Sequence, residues 1–236
     1  MWTEQVLDSL SKDRTYHRDD LFELAQKEDG GLTDSAFRWG LYDLQQKREL
    51  FRIGYDEYGI DKAGVRPYYK PVYSEGAISL SEKLNAAFPT LDYVVFESVL
   101  LNEFLNHQIA QNAIYVQVQK DVSSYIFDTL QDDYNGQVIY RPNRKEFDRY
   151  WRKDCIVVLD LISQSPLSDD NPHEITLEKL LVDVVAEKSI SATYSLSEIP
   201  FIYENALRNY AIDERRIHRY AGRRGKAELI EKYLKG

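Results

Sequence analysis

Apolar residues recur at helical spacing through the first part of the chain. In TEQVLDSLSK, Val6, Leu7 and Leu10 share one helical face. After RTY, the segment HRDDLFELAQKEDGG repeats the pattern with Leu21, Phe22, Leu24 and Ala25, then stops at paired glycines. Thr33 offers an N-cap for DSAFRWGLYDLQQKREL, whose buried stripe is Phe37, Leu41 and Leu44. LFRIG, a DEYG turn and GIDK predict two short strands about a glycine-containing loop. Three helices followed by a hairpin is the order of a winged helix-turn-helix, and residues 1–73 are assigned to it.

The rhythm changes after PYYKPVYSEGA, a linker with two prolines and a glycine. An amphipathic SLSEKLNAAF leads to a strand-like LDYVVFES and a short helix in VLLNEFLN. AIYVQVQ, QVIYRP and CIVVLDLI read as strands, separated by helices in KDVSSYIFDTLQDDY and NRKEFDRYWR. After the polar loop SPLSDDNPHE the pattern is helical to the end. Strands alternating with helices imply an α/β layer with a mixed, partly parallel sheet flanked by helices. Residues 74–236 are therefore assigned to an α/β domain ending in a helical segment.

Composition narrows the class. The chain of 236 residues is long enough for two domains, with 43% hydrophobic and 29% charged residues. Cys155 stands alone in an apolar run, which leaves no internal disulfide and no cysteine-based zinc site. The start MWTEQVLDSL has acids where a signal peptide needs a basic segment, and no apolar run reaches membrane-spanning length. The expectation is a cytoplasmic protein with no membrane contact.

The net charge of −9 is unevenly spread. Residues 1–75 carry 11 basic and 15 acidic side chains, residues 76–207 carry 10 and 20, and residues 208–236 carry 9 and 4. Screening limits reach to roughly 8 Å at physiological salt, so local patches decide contacts. With Phe37, Leu41 and Leu44 turned inward, the third helix offers Ser35, Arg38, Tyr42 and Gln46 outward, near Thr33, Trp39 and Lys47. Arginine can read guanine, glutamine can read adenine, and hydroxyls can hold phosphate. Arg38 and Gln46 are the candidate base readers, and Lys47 and Arg52 the candidate phosphate clamps. The bland alternative is a solvated surface on a domain used for protein contact. The wing tip weakens the DNA reading, because Asp56 and Glu57 stand where Lys or Arg would suit phosphate; Arg52 and Lys62 flank it.

A second basic feature lies near the C-terminus. Arg215, Arg219 and Arg223 step by four along one helical face, with Arg216, Arg224 and Lys226 beside them. They could neutralise phosphates, pair with the chain's own acidic middle, or meet a partner protein.

Enzyme signatures are weak. Glu103 and His107 have the i, i+4 spacing of a metal-binding pair, with Glu97 near in sequence, but such pairs are common. His17, His173 and His218 are scattered without ligand spacing. A nuclease core would place an acid two residues before a strand lysine, where AIYVQVQK has Val118. No glycine-rich phosphate loop or G-x-S-x-G elbow occurs. The reading is a non-enzyme without cofactor or metal. The alternatives are a divergent metal-dependent nuclease using Glu97 and Glu103, and a protein-interaction module.

FESVLLNEFLNHQIAQNAIYVQVQKDVSSYIFDTL, IVVLDLISQSPL, EITLEKLLVDVVAEK and RRIHRYAGRRGK, following the N-terminal helices and hairpin, resemble the AbiEi-like antitoxins over roughly residues 10–230. These are transcriptional regulators of type IV toxin–antitoxin (abortive infection) systems. The resemblance implies that the first domain binds the promoter of its own operon and represses it. It implies that the second domain supplies the antitoxin function against a nucleotidyltransferase-like toxin, often without a stable complex. It supplies no catalytic residues.

Overall fold

The computed structural model describes residues 2–11, 14–47, 49–54, 56–60 and 66–235. Backbone contacts divide the chain into two compact units. The first comprises Met1–Tyr68 and Asn209–Asp213, and the second Tyr69–Arg208 and Glu214–Gly236. The division thus falls at 68/69 rather than 73/74, and a short C-terminal segment returns to the first unit. Tyr73 belongs to the second unit, where its hydroxyl donates to the Val95 carbonyl at 2.8 Å and accepts from Ile175 N at 3.0 Å.

Unit 1 runs α1 (Trp2–Ser9), β1 (Tyr16–His17), α2 (Arg18–Glu28), α3 (Asp34–Gln46), β2 (Phe51–Gly54) and β3 (Glu57–Gly59). Its three-stranded sheet has the order β1-β3-β2, antiparallel throughout. The three helices match the apolar stripes, because Val6, Leu21, Ala25, Phe37, Leu41 and Leu44 form one core with Leu50 and Tyr58. A capping box starts α2, in which His17 Nδ1 accepts from Asp19 N and the Asp20 carboxylate accepts from His17 N.

Two local expectations need correction. β1 has no periodic signal in its two residues, and only its pairing with Tyr58 and Glu57 reveals it. The hairpin turn is also earlier than DEYG. Asp56 carries it in the left-handed region (φ 50°), and Glu57–Gly59 is already strand. Asp61 and Lys62 lie outside the described residues.

Unit 2 begins with α4 (Glu75–Ala87), capped by Ser74. Then follow β4 (Tyr93–Glu97), β5 (Ala113–Val118), α5 (Ser123–Asp133), β6 (Val138–Tyr140), α6 (Arg144–Tyr150) and β7 (Cys155–Asp160). The four-stranded sheet has the order β4-β5-β7-β6; β4 is antiparallel to β5, while β7 is parallel to both β5 and β6. The mixed, partly parallel sheet matches the expectation. One face packs Val95, Ile114, Val116, Val118, Ile156 and Val158 against Leu80 and Leu84 of α4 and Ile126 and Leu130 of α5. On the other face Tyr115 stacks on Phe147 of α6.

The remaining helices are α7 (Leu177–Ala186), α8 (Ile199–Asn209), α9 (Glu214–Arg223) and α10 (Ala227–Lys235). The short helix expected in VLLNEFLN is a 3-10 segment over Ser98–Glu103. The helix expected from DERR onward is two helices, broken where Gly225 adopts φ 64°.

Candidate nucleic-acid interface

Thr33 sets the start of α3: its Oγ1 accepts from Ala36 N at 3.2 Å. With Phe37, Leu41 and Leu44 buried, Thr33, Ser35, Arg38, Trp39, Tyr42, Gln46 and Lys47 are all exposed. Trp39 is 71% and Tyr42 55% exposed, and the two rings meet edge to face at 6.0 Å. Gly40 lets α1 come close, since a Cβ there would lie 2.2 Å from Cζ2 of Trp2. The helix therefore turns every residue expected on its outer surface toward solvent.

Among the described residues, charge on that surface is balanced rather than cationic. Arg38 pairs with Asp34 at 2.6 Å, and Lys47 with Asp43 at 2.7 Å, both at i, i+4 spacing. Asp34 also receives a hydrogen bond from Arg18, which holds its carboxyl below the usual range. The Asp43 carboxylate raises the Lys47 ammonium above its ordinary value. Exposed pairs of this kind are weak and exchange readily, so a phosphate could displace either carboxylate. The arrangement suits weak, salt-sensitive contact with an anion more than long-range attraction.

Arg52 is placed differently. Its guanidinium lies 3.7 Å from both Asp56 and Asp213 and is mostly buried. This ties the returning segment Asn209–Asp213 to β2, together with the 3.0 Å bond from Ala211 N to the Pro67 carbonyl. Asp56, expected on the wing tip, is turned inward to Arg52, whereas Glu57 is exposed on β3.

The C-terminal arginines divide between two sides of α9. Arg215, Arg219 and Arg223 are exposed, with Arg223 Nε donating to Ser163 Oγ at 2.8 Å. Arg216 donates to the Leu167 carbonyl. Arg224 is not part of the surface expected from sequence: its Nη2 lies 3.1 Å from Glu187 and its Nε 3.8 Å from Asp183, with little exposure. Lys226 is half-buried.

Arg224 borders a buried polar cluster that the LEKLLVD segment builds. Lys179 and Asp183, one turn apart on α7, are fully buried and 2.7 Å apart. Gln117 of β5 donates to Asp183 at 3.0 Å, and Tyr220 of α9 donates to it at 2.8 Å. Burial by itself would raise the Asp183 carboxyl, but Lys179 and Arg224 outweigh it and hold the group below the usual range. The i, i+4 spacing of Lys179 and Asp183 is visible in the sequence; that the pair lies inside the protein is not. A second buried carboxylate, Glu97, accepts from Ser74 N (2.8 Å), Ser74 Oγ (2.6 Å) and Asn112 Nδ2 (2.5 Å).

These contacts bear on metal binding. Glu97 has its oxygens committed to Ser74 and Asn112. His107 is not one helical turn from Glu103, since the 3-10 segment ends at Glu103; instead its Nδ1 lies 2.7 Å from Glu198. Among the described residues, no group of three or more His, Cys, Asp or Glu is arranged to hold a metal ion. Nor is any helix of the described residues long and apolar enough to cross a membrane.

No curated protein matches the chain. A family model matches residues 36–236, from within α3 to the C-terminal glycine, and so spans both units. The chain belongs to that family, DUF6577, a family of unknown function.

Proposed function

We propose that unit 1 is a winged helix-turn-helix and that the chain is a DNA-binding antitoxin and autorepressor of a type IV toxin–antitoxin system. It would act in the cytoplasm against a nucleotidyltransferase-like toxin. What supports the DNA reading is one observation: the order α1-β1-α2-α3-β2-β3, closed by a β1-β3-β2 sheet, leaves the polar face of α3 open. A helix in that position enters a major groove in winged-helix proteins. Arg38 and Gln46 then meet base edges, while Thr33, Ser35 and Lys47 meet phosphates. An inverted-repeat operator would need two copies of the chain. The antitoxin role rests on the family resemblance of the sequence.

The test is an anisotropy titration of the full chain against duplex DNA from upstream of its own operon, with a scrambled duplex as control. Arg38→Ala should weaken specific binding by about 1–3 kcal/mol and leave the circular dichroism spectrum unchanged. Equal affinity of wild type and variant removes Arg38 from the interface.

A second reading is favoured by the ion pairs on α3. A charge-balanced helix face bearing exposed Trp39 and Tyr42 has the composition of a protein-contact surface. Absence of any DNA shift at low salt, with co-purification of the neighbouring gene product lost in Trp39→Ala, would establish it.

A further inference from the structure

β6 is an edge of the four-stranded sheet, bonded among the described residues only to β7. Its main-chain directions follow from the register. Gln137 O accepts from Ile156 N and Arg141 N donates to Val158 O, both at 2.9 Å, with Ile139 opposite Val157. In a parallel ladder this turns both main-chain groups of Ile139 toward β7. Val138 and Tyr140 therefore turn their N–H and C=O away from β7, where no described residue bonds them; Val138 is 6% exposed and Tyr140 half-buried.

That edge borders a cavity of about 310 Å³, lined by residues 136–140 together with Phe127, Gln131, Tyr150, Arg152 and Cys155. The buried Oε1 of Gln131 has no hydrogen-bond partner. The segment that supplies Tyr150 and Arg152 to this lining is cationic. Six of the ten basic residues between 76 and 207 fall within 141–153, against two acids. Arg144, Lys145, Arg149, Arg152 and Lys153 are exposed, and none makes an ion pair among the described residues. Of the two acids, Glu146 is turned back to cap α6, accepting from Asn143 N at 2.9 Å. On α3, by contrast, Arg38 and Lys47 are both paired.

We propose that the β6 edge docks an extended acidic segment of another protein, which adds as a fifth strand beside Val138 and Tyr140 and sets its carboxylates against the cations of α6. Alternating outward N–H and C=O groups pair with another peptide main chain, whereas a nucleic acid has no such repeat to offer. The unpaired cations select Asp and Glu over Lys and Arg. A second copy of this chain is disfavoured, because two-fold pairing of β6 with β6 would bring two clusters of unpaired cations together. An edge this short supplies few main-chain bonds, so the flanking charges carry much of the binding and make it salt-sensitive. This inference is independent of the DNA reading of unit 1.

The test uses the full chain and a fluorescein-labelled octapeptide alternating valine and glutamate. Its controls are the valine–lysine counterpart and a version N-methylated at alternate amides. The valine–glutamate peptide should bind, and the N-methylated peptide should bind about tenfold more weakly or worse. The lysine peptide, and the double variant Arg149→Glu/Arg152→Glu, should lose about tenfold as well. Hydrogen exchange should slow at the Val138 and Tyr140 amides but not at Ile139, which already bonds β7. The N-methylated control keeps the test independent of whether the variant folds. No binding of the valine–glutamate peptide, or equal binding of the N-methylated one, overturns the proposal. So does a single-stranded dT oligonucleotide that protects the same amides equally well, or protection that rises with protein concentration alone.

Discussion

Asp183 shows how one buried group can control stability. Its carboxylate meets Lys179, Gln117 and Tyr220 within 3.0 Å, and all of this lies away from water. Because the folded state holds this carboxyl below its usual range, its stabilisation is present above the unfolded value of about 3.9 and is lost as pH falls through the lower folded value. Urea unfolding of the wild type should therefore weaken steeply below about pH 4. Asp183→Asn should flatten that fall, and at neutral pH should cost about 3–5 kcal/mol, because Lys179 is left buried without its countercharge. Equal acid sensitivity of wild type and variant would assign the acid limb to other carboxylates. The residues were readable in LEKLLVD, but the spacing of Lys179 and Asp183 is also that of an ordinary surface pair. Only the packing of α9 and β5 over α7, bringing Tyr220 and Gln117 to the pair, makes it a core feature.

At the scale of elements, helices were legible where an apolar stripe met a cap. Thr33 with Phe37, Leu41 and Leu44 fixes α3, and Asn143 with Glu146 starts α6. The break between α9 and α10 was harder to see, because RRGKAEL continues a polar helical pattern. Gly225 N bonds to Gly222 O at 3.1 Å, and Lys226 N bonds back to Ala221 O at 2.9 Å, an arrangement that uses the left-handed conformation of Gly225. Neither Gly222 nor Gly225 has an atom near the site of a Cβ. Gly225→Ala should thus cost about 1 kcal/mol through backbone strain alone. Gly222→Ala, inside α9 and without that conformation, should be neutral or stabilise by up to about 1 kcal/mol. Equilibrium urea curves of the two variants distinguish them. Equal effects would show that the conformation of Gly225 is not what sets its cost.

Over the whole molecule, the chain's return to unit 1 is the feature no local pattern announces. Ala211 and Ile212 are buried, Ala211 bonds Pro67, and Asp213 faces Arg52. A fragment ending at residue 73 lacks all of these contacts. Its β2 and β3 amides should exchange faster than in the full chain, by an opening free energy smaller by about 2 kcal/mol, most of it from exposing the surface that Ile212 covers. Identical protection in fragment and full chain would show that the first unit needs nothing from residues 209–213. Charge behaves likewise at this scale. The surplus of acids was countable, yet which cations pair depends on folded neighbours: Arg38 and Lys47 are paired, while among the described residues Arg149 and Lys153 make no ion pair.

The order of amino acids by itself determined the helices of unit 1, the strand–helix alternation of unit 2 and the outward face of α3. Periodicity and capping are local properties, set by residues three or four apart in a helix and two apart in a strand. Tertiary structure alone decided the pairing of β1 with β3, the inward turn of Arg52 and Arg224, the enclosure of Lys179 with Asp183 and the open edge of β6. Each of these joins or separates groups far apart in the chain, and the free energy of a charge or a main-chain amide depends on which partner, or how much water, the fold brings to it.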